Sequence, residues 1–598
     1  MTKQQKTMYL NIIHRPFARE DLFRAFCFQQ DEAHRMGFRT TIMVTLPNFS
    51  EKKIIDYVKN QHELYGDEIA LGINELQCRE FRERFGTEED AFFLLSFDMK
   101  KEVFSYLMET FKSAFGFYPK SLGFYFIDSR FMTWAKQNYP CIETAITNCF
   151  EEGVHMFLGN KSQWYLFSEG GPWGAYYPSK RNILCPAANE GDAIGIVGLP
   201  HLNRDMLMAI VSRDDLFSSH PANVTRGRGF YGDQCPYLYR FVDEWLKQLD
   251  YNSFGYYNIF VSPYWLADGY VFEYPNELNR KFYTETLEYL KSKADENRVT
   301  CATMQEFAAW YKENIKIDTP EVNLWQDILC GSKRQMFWYV DSSFRVTIDA
   351  NCGGSIYDLR PYAGGVERNL GPDTPHLANG MYPFLISAEH RGGLQDGSLH
   401  TLKITYNGET TSIAERRTRC SLHQDLEGCY TVNFEPVTLQ LGNLTFDITS
   451  SYRFARNGRI EIERTVTNMS DPEAEITLTE YHRGCYGTTI YPEDMRGIRL
   501  AAKGTDDTGE ESLNYEYKCR ILGKKSPEYL TADIPQIETS VSLIPLDGAD
   551  WGEAREGYLF RPFYTLSLSK NVRNGGKLKS CLEVKHLCTD ARPASQGI

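Results

Sequence analysis

The sequence predicts an α/β fold: a distorted (β/α)7-type barrel over residues 1–318, a linker over 319–335 and an antiparallel β-sandwich domain over 336–598. Three observations predict it. Across roughly the first 315 residues, apolar runs of strand length alternate with amphipathic stretches of helix length, the pattern of repeated βα units. Beyond residue 319 the chain turns to short segments of alternating polarity separated by Gly, Asn and Asp, the pattern of antiparallel sheets. And 598 residues exceed what a single hydrophobic core supports.

Taken in order, residues 8–13 read as a strand ending in His14, Arg15 and Pro16, and 19–36 as an amphipathic helix closed by Gly37. Strand 40–46, helix 51–65 and strand 68–73 follow, the last opening onto Asn74 and Glu75. Helical sequence around 99–115 leads to strand 121–127, with Asp128 at its exit, then helix 129–139 and strand 144–147, which leads to Glu151 and Glu152. About forty residues without this alternation come next, carrying Trp164, Tyr165, Glu169, Trp173, Tyr176 and Tyr177 among glycines and prolines; an active-site wall and a loop packed on its own aromatics both fit. Strand 193–199 ends in Pro200, His201, Asn203, Arg204 and Asp205, and strand 256–261 ends in Ser262, Tyr264, Trp265 and Asp268. Helices are expected at 236–249, from Pro275 to about 294, and to Asn314 behind a Thr303/Glu306 capping box. In the second half FRVTIDA, TLKITYN, LTFDITSSYRF, RIEIERTVTN and AEITLTEYH read as strands, with no repeat period.

Composition narrows the partners. A formal charge of −14 argues against nucleic acid and anionic membrane surfaces, which need a basic footprint, and leaves neutral ligands open. Aromatic residues make up 14% of the chain, enough to supply sugar-stacking faces as well as core. The 15 cysteines include no CxxC pair, as expected of free thiols in a reducing compartment. With no run of 18 apolar residues and no signal-peptide pattern at the start, a cytoplasmic location is expected. No P-loop, HExxH or GxSxG motif occurs.

Function is therefore read from polar residues at strand exits, which in a parallel sheet share one rim. These exits collect His14, Glu75, Asp128, Glu151, Glu152, His201 with Asp205, and Asp268. Paired carboxylates across a cleft are what glycosidic cleavage requires, one as nucleophile or base and one as proton donor. Each has a plainer reading: Asp128 as a helix cap or ion-pair partner, His14 as a hydrogen-bonded interior residue, and at most one of Glu151 and Glu152 facing the site.

Four segments carry a family resemblance: IIHRPF, GDEIALGINE, YPKSLGFYFIDS and VTCATMQEFAAWYKEN. They resemble strands of the seven-stranded barrel superfamily of polysaccharide deacetylases, amylase-like and alpha-mannosidase-like glycoside hydrolases, members of which also carry a large β-sandwich. The resemblance extends to bacterial deacetylase-like proteins. It implies a carbohydrate substrate and, from the amylase-like members, a metal-free retaining mechanism: Asp128 as nucleophile, with Asp268 or one of Glu151 and Glu152 as acid/base. Glu75, His201 and Arg204 would orient hydroxyls, and His14, Trp173, Tyr177, Asp205 and Trp265 would complete the substrate-binding set. The zinc patterns of the superfamily are departed from, since Asp67 stands where a deacetylase has histidine and Pro16 where a mannosidase has aspartate. No cofactor is required on this reading. The alternatives are a metal-dependent carbohydrate deacetylase with an altered ligand set, His14, Glu75 and His201, and a non-catalytic carbohydrate-binding protein. In the second half, SIYDLRPYAGG and EYHRGCYGTTIYPEDMRG are expected to be loops, either completing the pocket with Arg360, His482 and Arg483 or forming a domain interface.

Overall fold

The computed structural model describes residues 6–73, 76, 78–87, 92, 95–123, 127–148, 155–158, 161–164, 171–211, 217–221, 236–268, 276–362, 385–386, 398–484, 498–505, 509–514, 520–559 and 561–587. The chain divides into two compact units, Met1–Thr319 with Glu367–Met381, and Pro320–Val366 with Tyr382–Ile598.

The first unit is built on a curled parallel sheet of eight strands: β1 (Met8–His14), β2 (Thr41–Val44), β3 (Glu68–Gly72), β4 (Ser121–Gly123), β5 (Thr144–Asn148), β8 (Val197–Pro200), β9 (Gly255–Phe260) and β10 (Val299–Cys301). Between β5 and β8 a two-stranded hairpin, β6 (His155–Leu158) and β7 (Lys161–Trp164), occupies part of the stretch that showed no alternation in the sequence. The sheet runs from β8 through β5, β4, β3 and β2 to β1, and β1 pairs with both β9 and β10. Among the described residues no ladder joins β8 to β9. Side chains span that gap instead: Asn203 Nδ2 donates to the Tyr256 carbonyl (2.8 Å), the Asn258 amide donates to Asn203 Oδ1 (2.7 Å), and Asn258 Nδ2 donates to the Pro200 and His201 carbonyls (3.1 and 2.8 Å).

Parallel strands covered on both faces need continuous apolar sequence, and TIMV of β2 is buried at all four positions. One face packs on helices α1 (Glu20–Arg35), α2 (Lys52–Tyr65), α4 (Phe97–Phe115) and α5 (Ser129–Asn138), with α3 (Arg79–Phe85) beside them; Phe26, Val58, Phe104 and Phe131 meet Ile42, Leu71 and Leu122 there. The other face receives the last helix of the unit, Met304–Asn314, whose Met304, Phe307 and Tyr311 pack on Ile13, Met43, Ile146 and Phe260. Its predicted capping box is present, with Thr303 Oγ1 accepting from the Glu306 amide and Glu306 accepting from the Thr303 amide.

The second unit is an antiparallel sandwich of a ten-stranded and a nine-stranded sheet. Strand Leu444–Ala455 alternates buried and part-exposed residues along its length, and Phe446, Ile448, Leu478 and Leu402 meet between the sheets. Residues 321–326, within the stretch read as a linker, form an edge strand of the larger sheet, paired with Gln335–Val340. EVNLWQ carries the same alternation as the other strands, so the sandwich begins earlier than residue 336. SIYDLRP and EYHRG, read as loops, are also strands (Ser355–Pro361 and Ile476–Gly484). In Ser355–Pro361 the polar residues looked out of register because a bulge opposite Thr347 and Ile348 shifts the pairing by one residue.

Candidate functional site

At the ends of β1, β8 and β9 the predicted residues His201 and Trp265 lie with Arg15, a strand-exit residue read from the sequence, and with His220, which the sequence did not single out. His201 follows β8, is fully buried and sets its ring edge-on to Phe260 at 4.5 Å. His220, 1% exposed, packs edge-on to Trp265 at 5.6 Å. Arg15, the residue after β1, lies over the rings of Phe17 (5.0 Å) and Phe260 (5.6 Å). Burial, then the positive charge of Arg15 and the neighbouring His220, hold His201 well below the ordinary imidazole value, so it is neutral at physiological pH. Burial alone pushes His220 down to about 3. Ser262, just past β9, precedes the short helical turn Pro263–Trp265 yet makes no side-chain cap, and its buried Oγ has no hydrogen-bond partner among the described residues. An orphaned hydroxyl of this kind calls for an explanation beyond packing.

Arg204 and Asp205, further along the segment that follows β8, are 1% exposed each. Asp205 is committed to structure: Oδ1 accepts from the Leu207 and Met208 amides (3.1 and 3.0 Å), and Oδ2 accepts from the Tyr237 hydroxyl (2.8 Å). Trp173 is 5% exposed, and the Tyr177 hydroxyl donates to the Ile315 carbonyl at 2.9 Å, fastening its loop to the end of the last helix.

The other predicted residues go elsewhere. His14 faces the helix layer, where Nδ1 meets Gln30 Oε1 (3.1 Å), Nε2 meets the Tyr283 hydroxyl (2.6 Å), and burial pushes its pKa down to about 4. Asp128 caps α5 through the Phe131 amide (2.6 Å) and forms a buried ion pair with Lys100 of α4 (2.8 Å). Asp268 is 62% exposed and pairs with Arg280 (2.8 Å) and Arg24 (3.7 Å). The described hydrogen bonds and ion pairs do not bring Asp128 and Asp268 together. Glu75, Glu151 and Glu152 lie outside the described residues.

A deacetylase-type metal needs three or more converging ligands. The set named from the sequence does not supply them among the described residues: both His14 nitrogens are engaged, Glu75 is not described, and His201 belongs to no group of three donor residues. The one such group described is Asp425, Glu427 and Cys429, on the surface of the sandwich unit.

In the second unit His482 and Arg483 point to opposite faces of the larger sheet. His482 lies between the sheets, its Nδ1 3.4 Å from His400 Nδ1 and its Nε2 3.1 Å from the Tyr564 hydroxyl. His400 Nε2 donates to Glu480 (2.7 Å), which also accepts from Arg464 through two nitrogens (2.8 and 3.0 Å). On the outer face Asp358 accepts from Arg345 (3.2 Å) and Arg360 (3.1 Å).

No family model and no curated protein matches the chain. Among solved structures, a candidate glycoside hydrolase/deacetylase from Parabacteroides distasonis is similar at 16% identity and TM-score 0.46, covering 62% of this chain and 89% of its own. The 4-alpha-glucanotransferase of Thermococcus litoralis matches at 8% identity and TM-score 0.29 over 98% of this chain and 100% of its own. A galactose mutarotase-like protein from Clostridium acetobutylicum matches at 9% identity and TM-score 0.30 over 44% of this chain and 98% of its own. Likeness at this level carries no argument about the reaction of this chain. No helix among the described residues is long and apolar enough to cross a membrane.

Proposed function

We propose that the protein is a carbohydrate-active enzyme, a glycoside hydrolase that holds its sugar at the rim of the parallel sheet formed by the ends of β1, β8 and β9. The observation that supports this most is the grouping there of two neutral imidazoles, an arginine, an uncommitted serine hydroxyl and a tryptophan: Arg15, His201, His220, Ser262 and Trp265. Neutral hydrogen-bonding groups beside an aromatic face suit a pyranose ring, whose hydroxyls need partners and whose C–H face needs a flat surface.

In this reading the chemistry belongs to the carboxylates at the exits of β4 and β5. Asp128 is the nucleophile and one of Glu151 and Glu152 the acid/base. Asp128 then has a second duty, holding α5 and Lys100 in place. Asp268, on the surface with two arginines, drops out of the site.

The test uses the full chain on a panel of p-nitrophenyl glycosides. Asp128→Asn keeps an amide oxygen for the helix cap but leaves Lys100 without its ion partner, so turnover is measured on protein shown by its melting curve to be folded, and kcat is expected to fall on the order of a thousandfold or more. A folded Asp128→Asn enzyme with undiminished turnover would remove Asp128 from the chemistry. The second reading, deacetylation, is favoured by the two neutral imidazoles, the protonation state a metal ligand needs. Release of acetate from acetylated chito-oligosaccharides, with no glycoside cleaved, selects it.

A further inference from the structure

Glu68, the first residue of β3, is 2% exposed and joins four elements through one carboxyl group. Oε1 is hydrogen-bonded to the Ser121 hydroxyl of β4. Oε2 accepts from the Thr41 hydroxyl of β2 (3.2 Å) and from the Gln305 amide in the first turn of the helix Met304–Asn314 (2.9 Å). Thr41 Oγ1 in turn accepts from the Met304 amide (3.0 Å) and from Asn11 of β1 (3.4 Å). The start of this helix, which covers the inner face of the sheet, is thus fastened through Glu68 and Thr41 as well as through Met304 and Phe307.

The titratable groups facing Glu68 offer it no positive charge. Tyr256 of β9 is neutral, its phenol pushed up by burial and by Glu68 itself. Glu306 on the helix is a like charge, engaged by Arg39. Among the described residues no Lys, Arg or His pairs with Glu68. Burial raises its pKa to about 7, against the opposing pull of hydrogen bonds from Ser121, the Gln305 amide and Thr41.

We propose that Glu68 is a proton-operated latch that, protonated, holds the first turn of the helix Met304–Asn314 against β2, β3 and β4 and, ionised, loosens it. In the protonated form Oε1–H donates to Ser121 Oγ while Oε2 keeps both of its donors. On losing that proton to solvent, Ser121 rotates its own hydroxyl toward Oε1, and an unpaired charge is left between sheet and helix. The ordinary carboxyl value is 4.5, so between there and about 7 the folded chain holds a proton that the unfolded chain has released. Stability from this group therefore falls as pH rises through that window and is level above it.

Hydrogen exchange of the full-length protein tests this, comparing pH 5.5 with pH 8 and correcting for intrinsic rates. The expected result is that protection of the Met304 and Gln305 amides drops on the order of tenfold or more relative to β1 amides in the wild type, and not in Glu68→Gln. Ser121→Ala, which removes a donor to the ionised form, is expected to move the midpoint to higher pH, and this carries the test if Glu68→Gln does not fold. An equal pH dependence in Glu68→Gln, or an unmoved midpoint in Ser121→Ala, overturns the proposal.

Discussion

Each unit buries a pair of neighbouring histidines, and the surroundings of the two pairs differ. In the sandwich, His400 and His482 belong to a network that ends on charged groups: Glu480 takes His400 and the Arg464 guanidinium, Arg464 also donates to the Tyr452 hydroxyl (2.7 Å), and Tyr564 meets His482. At the rim of the parallel sheet, His201 and His220 lie against the rings of Phe260 and Trp265, beside an arginine and an orphaned serine hydroxyl. The first arrangement spends its polarity on holding two sheets together. The second keeps neutral polar groups at strand ends, the place proposed above for the sugar.

The sharpest way to break this contrast is to remove a charge from the sandwich network. Arg464→Met leaves Glu480 buried without its ion partner, and urea unfolding is expected to show a loss of about 3–5 kcal/mol. Arg464→Met combined with Glu480→Leu is expected to cost less than either alone. Asp128→Ala comes next: it deletes a helix cap, about 1 kcal/mol, and strands Lys100, 6% exposed, for a total of about 3–4 kcal/mol. A melting temperature unchanged by Asp128→Ala would contradict the geometry given for it here.

The pH dependence of the sandwich follows from Glu480. Burial raises its pKa, but Arg464 and His400 outweigh burial and bring it down to about 2 from an ordinary 4.5. Stability from this group is present above 4.5 and lost as pH falls from there toward 2, on the order of 3 kcal/mol in all. Glu480→Gln is expected to flatten that part of an acid unfolding curve. The smallest effect belongs to Asp268→Ala, an exposed pair expected to change stability by under about 1 kcal/mol and to leave turnover untouched.

Much of the fold was legible because strand and helix periods differ and both halves keep their period cleanly. β1, β2, β3, β5 and β9 fall where apolar runs were read, and the Thr303/Glu306 capping box forms as its spacing predicts. The edge strand at 321–326 was missed because its alternation is short and follows a proline-bearing turn. Strand exits were a weaker guide to side chains. Period 2 decides which face a residue takes, and one position separates His14, facing the helix layer, from Arg15 at the rim. His220 carries no local signal at all, since a folded-back chain segment and not a strand end delivers it to Trp265. Asp128 had two readings in the sequence, and the described geometry supplies the plainer one, cap and ion pair, without testing the other.

The contrast between the two histidine pairs is tested most directly by substituting one member of each and measuring affinity for a p-nitrophenyl glycoside that the wild type turns over. His220→Gln is expected to weaken binding tenfold or more, about 1.4 kcal/mol, with little change in melting temperature, whereas His482→Gln lowers the melting temperature and leaves binding intact. Unchanged affinity in His220→Gln, or binding lost in a folded His482→Gln protein, would contradict the assignment of the rim as the ligand site.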